Sequence, residues 1–140
     1  MRVLFDTDVI LDFLLERNPF FQAASELLEL NANGTFEAYI SSITPINVFY
    51  VGRKVVGASQ IREGIDDLLR LVRVTAVDHS SLTQALGLPF TDYEDAVQHA
   101  SASAAGLDAI ITRNSDDYKN ATLPVYSPAD FLNHLKRQQT

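Results

Sequence analysis

The chain has 140 residues, a net charge of −7, 46% hydrophobic residues and 21% charged residues, the make-up of one globular domain over residues 1–140. With no cysteine, disulfides, thiolate zinc sites and thiol nucleophiles are excluded. The acidic balance argues against tight nonspecific nucleic-acid binding, which needs lysine and arginine against phosphate. No apolar run approaches the ~20 residues of a membrane span, and Asp6 interrupts the first one, so the expectation is a soluble, cytoplasmic protein without a signal peptide.

Arg2–Phe5 reads as a short strand that stops at Asp6-Thr7-Asp8, and Val9–Leu15 follows in near-helical spacing. Asn18-Pro19 is expected to cap and open the next helix, which runs through Leu27 and Leu30 toward Gly34. Phe36–Ile40 is a second strand, and a helix is expected across Ser41–Gly52, with Pro45 near its first turn. Ser59–Leu71 is amphipathic, with Ile61, Ile65, Leu68 and Leu69 at helical spacing. Val72–Val77 alternates as a third strand, and Ser80–Leu88 is a short helix closed by Gly87 and Pro89. Thr91 opens an alanine-rich helix, Asp92–Ala105, ended by Gly106. Ala109–Ile111 and Pro124–Tyr126 are the fourth and fifth strands. Ser127-Pro128-Ala129-Asp130 caps a terminal helix, whose basic end at Lys136 and Arg137 is expected to fray. Strands alternating with helices predict an α/β fold: a mostly parallel five-stranded sheet with helices on its faces.

In an open parallel sheet, ligands collect beyond the carboxyl ends of the strands. That rule selects Asp6, Thr7 and Asp8 after the first strand, and Ser41, Ser42 and Thr44 after the second. After the fourth it selects Thr112, Arg113, Asn114, Asp116 and Asp117. Asp92, Glu94 and Asp95 open the helix that leads into the fourth strand, on the same edge. Convergence of so many carboxylates is unfavourable without a cation, and an all-oxygen donor set suits magnesium or manganese (Mg2+ or Mn2+). Blander roles compete. Asp6 can satisfy turn amides and Asp8 can cap a helix. Thr91 and Glu94 fit a Ser/Thr-x-x-Glu capping box, the favoured reading for Glu94. Asp92 suits a helix first turn. Asp116 and Asp117 can be loop solvation, and His99 an ordinary surface or core histidine.

These residues resemble the PIN-domain family, and most closely the VapC-type ribonuclease toxins of bacterial toxin–antitoxin pairs. The resemblance rests on Phe5-Asp6-Thr7-Asp8-Val9-Ile10-Leu11-Asp12, Ser42-Ile43-Thr44, Asp95-Ala96-Val97, Ile111-Thr112-Arg113-Asn114 and Asp117-Tyr118, in order along nearly the whole chain. It implies a three-layer α/β/α fold and metal-dependent hydrolysis of RNA. It also implies a homodimer and a small antitoxin partner with a basic segment. By position, Asp6, Asp95 and Asp117 match the family's acids, and Thr112 and Asn114 its Thr-x-Asn motif. Asp8 stands where asparagine is frequent and can bind metal through water. The usual glutamate after the second strand is replaced by Asn47, which brings no charge. Asp92 or Glu94, in the run Asp92-Tyr93-Glu94-Asp95, is the candidate to compensate. Arg113, Arg53 and Lys54 are candidate RNA phosphate contacts, with a solvated helix end as the alternative for the last two.

Two other readings stay open. A haloacid-dehalogenase-like phosphatase also begins with Asp-x-Asp after its first strand, but it wants a well-placed lysine, and Lys54 merely follows a helix. A degenerate PIN domain that binds RNA or a protein without cleaving is the reading that Asn47 favours.

Overall fold

The computed structural model describes residues 1–139. In chain order its elements are β1 (Arg2–Phe5), α1 (Thr7–Leu14), α2 (Phe21–Ala32), β2 (Glu37–Ser41), α3 (Thr44–Val56) and α4 (Ala58–Leu71). Then come β3 (Arg73–Thr75), α5 (His79–Leu86), α6 (Tyr93–Ala104), β4 (Ala109–Ile111), β5 (Val125–Tyr126) and α7 (Pro128–Gln138). A 3-10 turn, Ser115–Tyr118, follows β4.

The five strands lie in the order β3-β2-β1-β4-β5, and every pairing is parallel. The β1–β2 register joins Val3 to Ala38, and the β1–β4 register joins Val3 to Ala109 and Phe5 to Ile111. Alternation along each strand sorts the side chains between two layers. Val3, Phe5, Ala38, Ile40, Ala109 and Ile111 join a core with Ile10, Leu27, Val48, Leu68 and Phe131, from α1, α2, α3, α4 and α7. Leu4 and Ile110 point the other way, to Ala102 of α6 and Tyr118. Ala96, Val97 and Ala100 of α6 pack with Ala85 of α5. The expected α/β/α layering is therefore present, with the small residues of α6 lying close beneath the sheet.

Several element boundaries depart from the expectation. Asn18-Pro19 is a cis peptide within a turn, and α2 begins at Phe21 with no side-chain cap. Helix α3 runs through Gly52 to Val56 and stops at Gly57, whose φ of 87° favours glycine. The third strand is shorter than expected, and α7 stays helical through Lys136 and Arg137.

Gly52 sits inside α3 because the fully packed Ile61 of α4 presses on it. A Cβ there would overlap Ile61 Cδ1 and Cγ1. Gly52→Val is expected to destabilise the fold by about 1–3 kcal/mol through overpacking, read as a lowered urea midpoint at an unchanged m-value.

Candidate active site

The chain leaves β1 outward to β2 and β3, then returns to lay β4 on the other side of β1. A crevice opens where the order reverses, beyond the carboxyl ends of β1 and β4. It is an open cleft of ≈ 430 Å³. Its walls carry six acids from three chain segments: Asp6 and Asp8, then Asp92, Glu94 and Asp95, then Asp117. Asn47, Tyr50 and Asn114 complete the rim.

Asp6 is the most firmly held of the acids. Its backbone N–H still donates to Ile111 O at 2.9 Å, extending the β1–β4 ladder. Its side chain caps α1: Oδ1 accepts from Thr7 N at 2.7 Å and from Gln98 Nε2 at 2.8 Å, while Oδ2 accepts from Thr112 Oγ1 at 2.7 Å. Burial pushes this carboxyl above its ordinary range, the three donors pull it back, and the nearby Asp92 charge adds to the rise. Capping and site chemistry are thus served by the same atoms.

Asp8, one residue into α1, accepts from Asn114 Nδ2 at 2.8 Å through Oδ2, while its Oδ1 is buried with no hydrogen-bond partner. Burial first, and the adjacent Asp6 charge second, push Asp8 up to about 7. Asp95 is likewise pushed to about 7 by burial and then by Asp6 and Asp92. Its Oδ1 accepts from Tyr118 Oη at 3.2 Å. Burial and the surrounding acids raise the Tyr118 phenol, which keeps its proton.

Helix α6 starts differently from the expected capping box. Asp92, not Thr91, is the N-cap, and its side chain accepts from Asp95 N at 3.0 Å. Asp is as good a cap as Thr, and the cap one residue later leaves Glu94 free of that role. Glu94 Oε1 instead accepts from Thr7 Oγ1 at 3.0 Å, and Thr7 Oγ1 lies 3.2 Å from Thr44 Oγ1 at the start of α3. The Glu94 carboxylate is therefore tied toward the side of the cleft where Asn47 stands.

Other expected residues fall outside the acid cluster. Ser42 Oγ accepts from Val77 N at 3.1 Å and braces the loops after β2 and β3. The Arg113 guanidinium does not face the cleft. It holds Asp12 by two hydrogen bonds, at 2.9 and 3.2 Å, and lies 4.0 Å from the Phe20 ring centroid. Arg17 shares the same buried Asp12 at 2.8 Å. Arg113 is thus committed to fixing the loop after β4 onto the end of α1, because Asp12, 2% exposed, needs its charge matched. Arg53 is exposed and stacks on Tyr50 of the rim at 4.8 Å, and Lys54 beside it is exposed. His99 is buried away from the cleft. Its Nε2 accepts from Thr122 N at 3.1 Å, and burial lowers its pKa. Asp116 is exposed and lies outside the cleft lining, whereas Asp117 lines it. Gln98, which sequence reasoning missed, is completely buried against Asp6. The available signal was its position: three residues after Asp95, it is a polar side chain on the same face of an alanine-rich helix.

The donor chemistry fits a hard divalent cation. Every polar side chain facing the crevice offers oxygen or an amide, and the unpartnered Oδ1 of Asp8 is an acceptor that lacks a donor. Among the described residues, no three His, Asp or Glu side chains stand as a ready-made ligand cluster. The six acids nevertheless line one cleft, and Asp6 and Asp92 each raise the pKa of Asp95. Among the same residues, no helix is long and apolar enough to cross a membrane.

Comparison with known proteins agrees with this fold. The structure of VapBC2 from Rickettsia felis bound to a promoter DNA fragment matches at 17% identity and TM-score 0.71, covering 89% of this chain and 97% of that one. A toxin–antitoxin complex from Klebsiella pneumoniae matches at 23% identity and TM-score 0.68, covering 90% and 97%. Mycobacterium tuberculosis VapC20, described as a sarcin–ricin loop cleaving toxin, matches at 16% identity and TM-score 0.63, covering 77% and 86%. No curated protein sequence is significantly similar to the chain. The family model for the PIN domain matches residues 2–116, and with the parallel sheet and the acid-lined crevice at its switch point, the chain belongs to the PIN-domain family.

Proposed function

We propose that this chain is a metal-dependent endoribonuclease, hydrolysing RNA phosphodiester bonds with Mg2+ or Mn2+, and the toxin of a toxin–antitoxin pair. The observation that carries the reading is the gathering of six acids from three distant segments into one cleft, with a buried, unpartnered Asp8 oxygen. A fold gains nothing from such crowding unless a cation offsets it. The solved toxin–antitoxin complexes of the same fold support the wider context, and VapC20 supports RNA as the substrate class. In that context the partners are a small antitoxin with a basic segment and a second copy of the chain.

A divalent metal held there would supply a water of lowered pKa and would offset charge that develops on the phosphate. The chain's own residues do the rest. Asp6 and Asp95 are the principal ligands, with Asp8, Asp92 and Asp117 completing the negative lining. Thr112 and Asn114 orient Asp6 and Asp8 through the hydrogen bonds at 2.7 and 2.8 Å. Glu94 supplies the charge that Asn47 lacks, since Thr7 ties it across the cleft and no capping bond claims it. Arg53 and Lys54, at the end of α3 beside Tyr50, are the basic groups for RNA phosphates.

Purified protein is expected to cleave RNA with Mg2+ or Mn2+ and to stop with EDTA. Glu94→Gln keeps an acceptor for Thr7 but loses the charge, and it is expected to lower cleavage by roughly 10–100-fold with folding unchanged. Wild-type protein that leaves RNA intact with either metal overturns the nuclease reading. Retained RNA affinity in that case favours a non-cleaving PIN domain, the reading consistent with Asn47. The phosphatase alternative has less support, because no lysine is among the described residues lining the cleft.

A further inference from the structure

We propose that Gln98, acting with Tyr118, is a positioning residue that fixes Asp6 and Asp95 relative to each other, so that one oxygen of each stays available to the metal. The inference rests on the metal-site reading above and concerns how this chain holds that site.

Gln98 is 0% exposed in the middle of α6, on the helix face turned to the sheet. A primary amide there is costly unless it is bonded, yet its Oε1 is buried with no partner. An apolar side chain of the same size would fill the space without that penalty. What the amide gains lies on its nitrogen side. One N–H donates to Asp6 Oδ1 at 2.8 Å, and Nε2 also lies 3.4 Å from Tyr118 Oη. Asp6 and Asp95 come from β1's end and from α6, and Tyr118 comes from the turn after β4. One buried chain, Asp6–Gln98–Tyr118–Asp95, therefore joins three segments.

The donor inventory sets the direction of every bond in the chain. The Gln98 amide nitrogen can only donate, so toward Gln98 the phenol oxygen must accept. Tyr118 then gives its single proton to Asp95 Oδ1 at 3.2 Å. Asp6 Oδ1 already receives two donors, Thr7 N and Gln98 Nε2, which occupy both of its lone pairs. Asp6 Oδ2 receives only Thr112 Oγ1 and keeps one lone pair. Asp95 Oδ1 accepts from the phenol and, like Asp6 Oδ2, keeps one lone pair, and its Oδ2 is not engaged by the network. The network thus fills Asp6 Oδ1 and leaves acceptor capacity on Asp6 Oδ2 and on the Asp95 carboxylate for a metal. Partners behind metal ligands that fix their rotamers are typically worth 10–100-fold in metal affinity.

The test measures Mn2+ binding to the full chain by electron paramagnetic resonance titration, with thermal unfolding alongside. Gln98→Leu removes the amide and its orphaned oxygen at nearly constant volume, and Tyr118→Phe removes only the hydroxyl. Each variant is expected to raise the Mn2+ Kd by roughly 10–100-fold while Tm holds or rises, and the double variant is expected to lose less than the two single losses multiplied. A purely structural role would lower Tm and leave the Kd of the folded fraction alone. Gln98→Leu and Tyr118→Phe that both bind Mn2+ within about threefold of wild type overturn the proposal. Should Gln98→Leu fail to fold, Tyr118→Phe decides alone, since the ring stays in the core. Wild-type protein that binds Mn2+ but cleaves no RNA overturns the nuclease reading and leaves the positioning role standing. Wild-type protein that binds no Mn2+ overturns both.

Discussion

Asp6→Asn is expected to reduce metal-dependent RNA cleavage by at least ~10³-fold, a barrier increase of about 4 kcal/mol, in a protein that stays folded. The amide is nearly isosteric with the carboxylate. Its oxygen can still accept from Thr7 N and Gln98 Nε2, the contacts of 2.7 and 2.8 Å that hold α1 and α6 together. Its nitrogen then faces Thr112 Oγ1, which can rotate to accept. The negative charge and the free lone pair on Oδ2 are lost, and these are what a hard cation needs. Because Asp6 is buried beside other acids, removing its charge is also expected to leave Tm equal or higher. Asp6→Ala separates the two roles, since it also deletes the α1 cap, at about 1 kcal/mol. Gel-based cleavage assays with Mg2+ and Mn2+, read beside melting curves, check both statements. Cleavage surviving Asp6→Asn and Asp95→Asn alike ends the nuclease proposal.

The second large effect concerns pH. The Asp8 and Asp95 carboxyls are each raised from 3.8 to about 7 in the folded chain, mainly by burial and then by neighbouring acids. A carboxyl raised on folding holds its proton more tightly in the native state than in the unfolded one. Its contribution to stability is complete below pH 3.8 and is lost as pH rises toward 7. The metal-free protein is therefore expected to lose stability across that window, opposite to the usual behaviour of ion-paired acids. The slope approaches at most about 1.4 kcal/mol per pH unit for each group. Asp95→Asn should remove that residue's share of the slope. Added Mn2+ should flatten the curve near pH 7, where a ligand for the ionised form stabilises the native state. Tm that is flat with pH in EDTA, and equal in wild type and Asp95→Asn, contradicts the account.

Much of this arrangement was legible in the residues themselves. Short apolar runs broken by Asp6-Thr7-Asp8 and by Thr112-Arg113-Asn114 marked strand ends, and the alternation of strands and helices implied the parallel sheet. What stayed hidden depended on neighbours far along the chain. Thr91 and Asp92 are both good caps, and the folded chain uses Asp92, while Glu94 accepts from Thr7. Asn18-Pro19 carried the signature of a helix start, yet it lies in a turn as a cis peptide and α2 begins only at Phe21. Gly52 looked like a helix end, but Ile61 of the next helix decided it. Arg113 reads as a phosphate contact only until Asp12, 101 residues away, is seen buried beneath it. Gln98 was the deepest omission, because a helix pattern does not say which polar residue faces a carboxylate on another segment.

The central position of β1 also sets a timetable for biosynthesis. Asp6 meets Thr112, and Asp8 meets Asn114, each across 106 residues of sequence. Strand β1 can pair with β2 early, by Val3 against Ala38, but its other edge waits for Ala109–Ile111. At roughly 5–20 residues per second of synthesis, that interval is about 5–20 seconds. Throughout it a nascent chain on the ribosome carries Asp6 and Asp8 with no Thr112 or Asn114 to orient them. The acid cleft therefore comes together only as the last fifth of the polypeptide is made.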